Sequence, residues 1–283
     1  MTSGEHQLYC DGTKFRPTFR GVQHLMWFLS TPVWAYVLFS ACHAPSETGA
    51  AVVVSFPFLG ADEAHRESAA SKPYSPRCLL GDRAACALFM LGWTVQYGAS
   101  AVWHRWPWVE RQHEILANNA DHVGIFVMIA CSYAVPCALA LPTTGQILAS
   151  GLWFVALVGS LKTCGVLGSR GNASALAGLY VSMGSLFLLS VREMADTFTL
   201  DEQRWAIASL VQYFISACIY VSKRPDPWPK HWGCHECFHF FVCSGSACTF
   251  MASLRIVQRT TGARAAAAAL FSAAAGSAAS AAS

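Results

Sequence analysis

Charge is scarce in this chain. Of its 283 residues only 12% are Asp, Glu, Lys or Arg, while 54% are hydrophobic; soluble domains carry about 25% charged residues. That deficit argues against one or two soluble domains and for a polytopic membrane protein. The charges nearly balance, at +3 net, and no dense basic patch occurs, so the sequence offers no electrostatic footprint for nucleic acid. A cleavable signal peptide is not expected, because the first 20 residues are polar and the first apolar run ends without a small-residue cleavage site. Acidic residues stop at Glu236 and histidines at His239. Cysteine, by contrast, is plentiful, at 12. Cys86, Cys131, Cys164, Cys218 and Cys243 lie in apolar runs, which reads as small buried hydrophobes and not as a disulfide framework.

A membrane-spanning helix needs roughly 20 apolar residues, and seven segments qualify. They run from about Val22 to Cys42, Ala84 to Trp103, Val123 to Leu141, Ile147 to Leu167 (carrying Lys162), Ala173 to Val191, Trp205 to Ser222, and about His235 to Val257. The expected fold class is therefore all-α, a seven-helix transmembrane bundle over residues 22–257, preceded by a segment 1–21. A long first loop, about 44–82, holds Pro, Gly, Ser and mixed charge; the apolar stretch Ala50–Ala61 within it is too short to span and is interrupted by Pro57. Residues 258–283 form an Ala/Ser-rich low-complexity tail, either frayed helix or disordered. Lys and Arg divide almost evenly between the two faces, so the positive-inside rule does not set the orientation. The sequon Asn172-Ala173-Ser174 would face inside with the N-terminus in, and its occupancy tests the topology.

The most informative segment is Cys234-His235-Glu236-Cys237-Phe238-His239. Histidines four apart share one helix face, and polar ligand-grade residues at membrane depth are costly enough to mark a site. Span parity extends the group. The end of the second span (Ser100 to His104), the start of the third (Asp121, His122) and the start of the seventh (His235, His239) lie on one membrane face whichever way the chain inserts. Three imidazoles from His104, His235 and His239 plus one open position make a four-coordinate catalytic zinc site. Asp121 is placed to act on the bound water, and Ser100, one turn before His104, to donate to a reacting oxyanion.

Each residue also has a structural reading. His104 alone fits an interfacial position, Asp121 an N-terminal dipole partner of the third span, and Ser100 a small helix-packing residue. His24, His113 and His122 read as interfacial, loop or surface residues, and Trp106, Trp108, Trp228 and Trp232 as an interfacial aromatic belt. Cys234 and Cys237 lack a second Cys/His pair for a zinc knuckle. The H-E-x-x-H match of His235 to His239 suggests a peptidase, but such enzymes take a third ligand from further along the chain. None exists downstream here, so Glu236 reads as a rim residue and not as a base. A retinal protein is disfavoured because the seventh span has no Lys for a Schiff base.

These residues together resemble the haemolysin III-related family, which includes the progestin and adiponectin receptors. Arg20-Gly21-Val22-Gln23-His24 resembles the family's opening of the first helix, and Ser100-Ala101-Val102-Trp103-His104-Arg105 its S-A-x-x-H signature. Asp121-His122-Val123-Gly124-Ile125-Phe126, with Tyr133 and Pro136, resembles its third helix; Tyr220 through Pro225, then His235 through Phe240, resembles its ending. The likeness covers roughly residues 16–257. Where the family often carries another His in the seventh helix, this chain has Cys248-Thr249-Phe250. The resemblance implies a cytosolic N-terminus and zinc held by His104, His235 and His239 near the inner face, with Asp121 beside the bound water. The family is also similar to membrane ceramidases in these elements, which implies hydrolysis of a lipid amide or ester with the lipid between the helices. The alternatives are a non-enzymatic receptor with structural zinc, and a membrane-permeabilising haemolysin.

Overall fold

The structure, a computed structural model, describes residues 16–42, 80–168 and 173–281. Nearly all of the long first loop, and Asn172 of the sequon, lie outside the described residues. Every regular element described is helical: α1 Val22–Ala41, α2 Asp82–Arg105, α3 Arg111–Ser132, α4 Ala134–Leu139, α5 Gly145–Thr163, α6 Ala173–Gly184, a 3-10 turn Ser185–Ser190, α7 Val191–Thr197, α8 Leu200–Ser222 and α9 Cys234–Ala281.

Among the described residues, six segments are long and apolar enough to cross a membrane: Asp82–Arg105, Arg111–Leu139, Gly145–Thr163, Ala175–Thr197, Leu200–Ser222 and Cys234–Ala263. The first helix has no Asp, Glu, Lys or Arg over its 20 residues, but Gln23, His24, Ser30 and Thr31 dilute its hydropathy. It still shows an outward apolar stripe, Met26, Leu29, Val33 and Tyr36, the i, i+3, i+4 spacing of one helix face. Comparable stripes on α5 (Ile147, Phe154, Leu157) and α8 (Ile207, Val211, Phe214) are exposed too. In a bundle surrounded by hydrocarbon, such faces need no protein cover. The chain is an all-α, multi-pass membrane protein.

Several boundaries differ from expectation. The third helix begins at Arg111, not Val123, because polar residues Arg111, His113 and Glu114 extend it beyond its apolar run. Asp121 therefore sits three turns into α3, and the N-terminal dipole reading fails. The fifth span is broken: α6 passes through the 3-10 turn into α7 and ends at Thr197, past Val191. Helix α9 continues through the alanine-rich tail to Ala281, as the high helix propensity of alanine favours.

Helix α2 packs against α1 and α3, and α9 packs against α8 and α1. The α1–α2–α9 junction is aromatic. Trp93 lies edge-on to Trp27 at 5.2 Å between ring centroids, and Trp34 edge-on to Phe250 at 5.1 Å, arrangements favoured by ring quadrupoles. Phe89, Trp93, Tyr97 and Phe250 are fully buried there. The α2–α3 approach depends on Gly124, where an added Cβ would meet the Gln96 side chain and lie 3.1 Å from its Cα. Gly124 is one turn from Asp121 on the same face, which explains the D-x-x-G spacing: the glycine brings α2 close and the aspartate meets what α2 presents.

Candidate metal centre

The last turn of α2 and the first turns of α9 bring three histidines together. His104 and His239 are buried, at 1% and 2% exposure, and His235 is half-buried. One ligand-capable atom from each lies within 4.8 Å of the others. The Nε2 atoms of His104 and His235 are 3.2 Å apart. Two nitrogens at about 2.05 Å from a tetrahedral ion are separated by roughly 3.3 Å, so this pair already has the spacing of shared ligation. The ring centroids of His235 and His239 are 4.3 Å apart, and those of His104 and His239 5.2 Å. His104 Nδ1 is buried with no hydrogen-bond partner among the described residues. Among those residues this is the one His/Cys/Asp/Glu group able to hold a metal ion; the pair Cys234 and Cys237 forms none.

Asp121 approaches from α3, with Oδ2 4.0 Å from His104 Nε2. Gln96 Nε2 donates to its Oδ1 at 3.3 Å, so the amide holds one carboxylate oxygen while the other turns to the histidines. Ser100 lies one turn before His104, 1% exposed, its hydroxyl without a hydrogen-bond partner among the described residues. His104, His235, His239 and Asp121 thus gather as span parity predicts, with Ser100 on the adjoining turn.

The N-terminal segment closes this end of the bundle. Thr18 and Phe19 donate backbone hydrogen bonds to the carbonyls of Lys230 and His231, at 3.1 and 3.2 Å. Arg16 donates to the carbonyls of His104 and Trp106, at 3.2 and 2.8 Å. Gly21 then turns the chain into α1 at φ 74°, a left-handed conformation suited to glycine. A Cβ there would stand 2.5 Å from that of His104.

Two sequence readings change. Glu236 is not a rim residue: it is 1% exposed, pairs with Arg20 Nε through Oε1 and accepts the Gly233 N–H through Oε2 at 2.9 Å. Its carboxylate ties α9's first turn to the entry of α1, a structural engagement and not that of a base. His24 is not interfacial: it is 2% exposed and stacks on His239, centroids 3.8 Å apart and planes 19° apart. The available signal was a histidine in the first turn of an otherwise apolar helix, a costly placement. His113 and His122 lie apart from the cluster, His113 beside Glu110 and His122 against the Asn118 carbonyl.

The family model for haemolysin-III related proteins matches residues 13–250. The chain belongs to the haemolysin-III related family. That match spans Arg16 through Ser246 and so includes every residue of the histidine centre and the N-terminal segment closing it. In this haemolysin-III related protein the separated sequence motifs have one physical sense. Arg20-Gly21 packs onto the serine–histidine motif of α2, Asp121 and Gly124 face α2, and the final histidine pair completes the group.

Proposed function

We propose that this protein binds zinc through His104, His235 and His239 and hydrolyses an amide or ester bond of a membrane lipid. The convergence of three histidines, two buried and one half-buried, beside Asp121 carries this reading. Neutral imidazoles suit zinc, and three of them leave a position open, the catalytic pattern. Zinc bound there would supply Lewis acidity toward an acyl carbonyl and lower the pKa of water to about 7.

The chain's own residues supply the rest. Asp121, steadied by Gln96 on one oxygen, presents the other as the acceptor of the water's proton. The Ser100 hydroxyl serves as a hydrogen-bond donor to the oxyanion. The aromatic and aliphatic walls of the bundle keep bulk water from the acyl chain, which lies between helices. The histidine end faces the cytosol, together with the N-terminus.

The experiment is hydrolysis of long-chain amide and ester lipids by detergent-purified protein, wild type against Asp121→Ala. Turnover lost in a variant that folds and keeps its metal supports the reading. Full hydrolysis by Asp121→Ala refutes this mechanism. The second reading is a receptor in which the metal fastens α2 to α9, favoured by the position of the three histidines at a helix–helix junction. It expects a metal-dependent fold with no turnover on any lipid.

A further inference from the structure

We infer that His24 is a fourth imidazole of this centre, one that does not ligate the metal but hydrogen-bonds the carbonyl or carboxylate oxygen of the group held there. The inference rests on the metal-centre reading proposed above. His24 lies in the first turn of α1, 2% exposed, and neither ring nitrogen has a hydrogen-bond partner among the described residues. A neutral imidazole carries one donor and one acceptor, and burying both unmade is costly. Packing alone would be served better by Phe or Leu at that site. The neighbouring rings do not satisfy it. Tyr97 meets it edge-on at 5.0 Å, but the Tyr97 hydroxyl donates to Ser246 Oγ at 2.6 Å. His239 meets its face, 3.8 Å between centroids.

That stacking also argues against ligation. A metal lies near the plane of the ring that binds it. A ring stacked almost parallel on His239 directs its own N–H and lone pair within a separate plane, one stacking distance away. His24 accordingly stands outside the converging set of His104, His235 and His239. A ligand oxygen held beside an ion at this centre would give the unpartnered nitrogens of His24 the hydrogen bond they lack. Ser100 Oγ, likewise buried and without a partner among the described residues, is a second donor at this centre. Two unpartnered buried donors near the histidine group suit an acyl oxygen or its carboxylate product better than a purely apolar ligand.

The test uses full-length protein in detergent, loaded with cobalt in place of zinc, and acetohydroxamate as an oxygen-donor probe read by cobalt absorption. His24→Phe keeps the stacking ring and removes both nitrogens; His24→Gln keeps a donor and an acceptor. Both variants are expected to retain wild-type cobalt stoichiometry and an unchanged probe-free spectrum. The Kd for acetohydroxamate should rise about tenfold or more in His24→Phe, the loss of roughly one hydrogen bond, and less in His24→Gln. An unchanged Kd in whichever variants fold overturns the inference and makes His24 a packing residue. Loss of cobalt from a variant with wild-type melting overturns it by making His24 a ligand. Wild-type protein that binds no metal defeats this inference together with the function on which it rests, whereas the first two outcomes leave that function standing.

Discussion

A methyl group on Gly21 would stand 2.5 Å from the Cβ of His104. The backbone entry of α1 is therefore pressed against the helix carrying one candidate ligand, and the φ of 74° at Gly21 opposes any side chain. Gly21→Ala is expected to cost about 1–3 kcal/mol from backbone strain alone and to displace His104. Melting temperature and metal content should both fall. Gly81→Ala, where nothing lies within 4 Å of an added Cβ, is the control and should retain wild-type metal content.

Arg20 and Glu236 form an ion pair in which the carboxylate is buried and the guanidinium largely so, with side chains 1% and 16% exposed. Removing one partner of such a pair leaves an uncompensated buried charge and costs about 3–5 kcal/mol. Arg20→Ala should approach that loss in denaturant or thermal unfolding, and the double variant Arg20→Ala/Glu236→Gln should recover part of it. Glu236→Gln alone should keep any lipid hydrolysis, because the Glu236 carboxylate is occupied by Arg20 and the Gly233 N–H. A loss of turnover without a loss of stability would reinstate Glu236 as a base.

Gln96 supports Asp121 by donating to its Oδ1 at 3.3 Å. Gln96→Leu should preserve metal content and lower turnover less than Asp121→Ala does, since it disturbs only the carboxylate's orientation. Steady-state rates of the two variants at equal metal loading check this ordering. Equal, complete losses would mean that the amide acts on its own account.

The sequence disclosed the ligand candidates better than it disclosed what supports them. His104, His235, His239 and Asp121 were readable because alternation of spans fixes depth and helical spacing fixes a face. Arg20 with Glu236, and His24 with His239, pair residues from opposite ends of the chain; no local periodicity relates them, so Glu236 read as rim and His24 as interface. Helix limits were obscured for another reason. Hydropathy marks the thickness of hydrocarbon, while a helix continues wherever backbone hydrogen bonding permits, so α3 starts at Arg111 and α9 continues to Ala281. The 3-10 turn at Ser185–Ser190 begins at the Gly184-Ser185 pair, a weak point for a helix that hydropathy alone passes over.

Metal bound at this centre would also join helices, because His104 belongs to α2 while His235 and His239 belong to α9. Ligation that exists only in the folded state adds to stability. Incubation with a strong chelator should lower the melting temperature, and zinc should restore it. A melting temperature indifferent to both would show that the histidine packing holds without an ion.

The most direct measurement is the metal content of detergent-purified protein by elemental analysis, wild type against His235→Ala. The account predicts about one zinc per wild-type chain, lost in the variant while its helical circular dichroism persists. Carefully purified wild-type protein with no bound metal, or His235→Ala retaining full zinc, would contradict it.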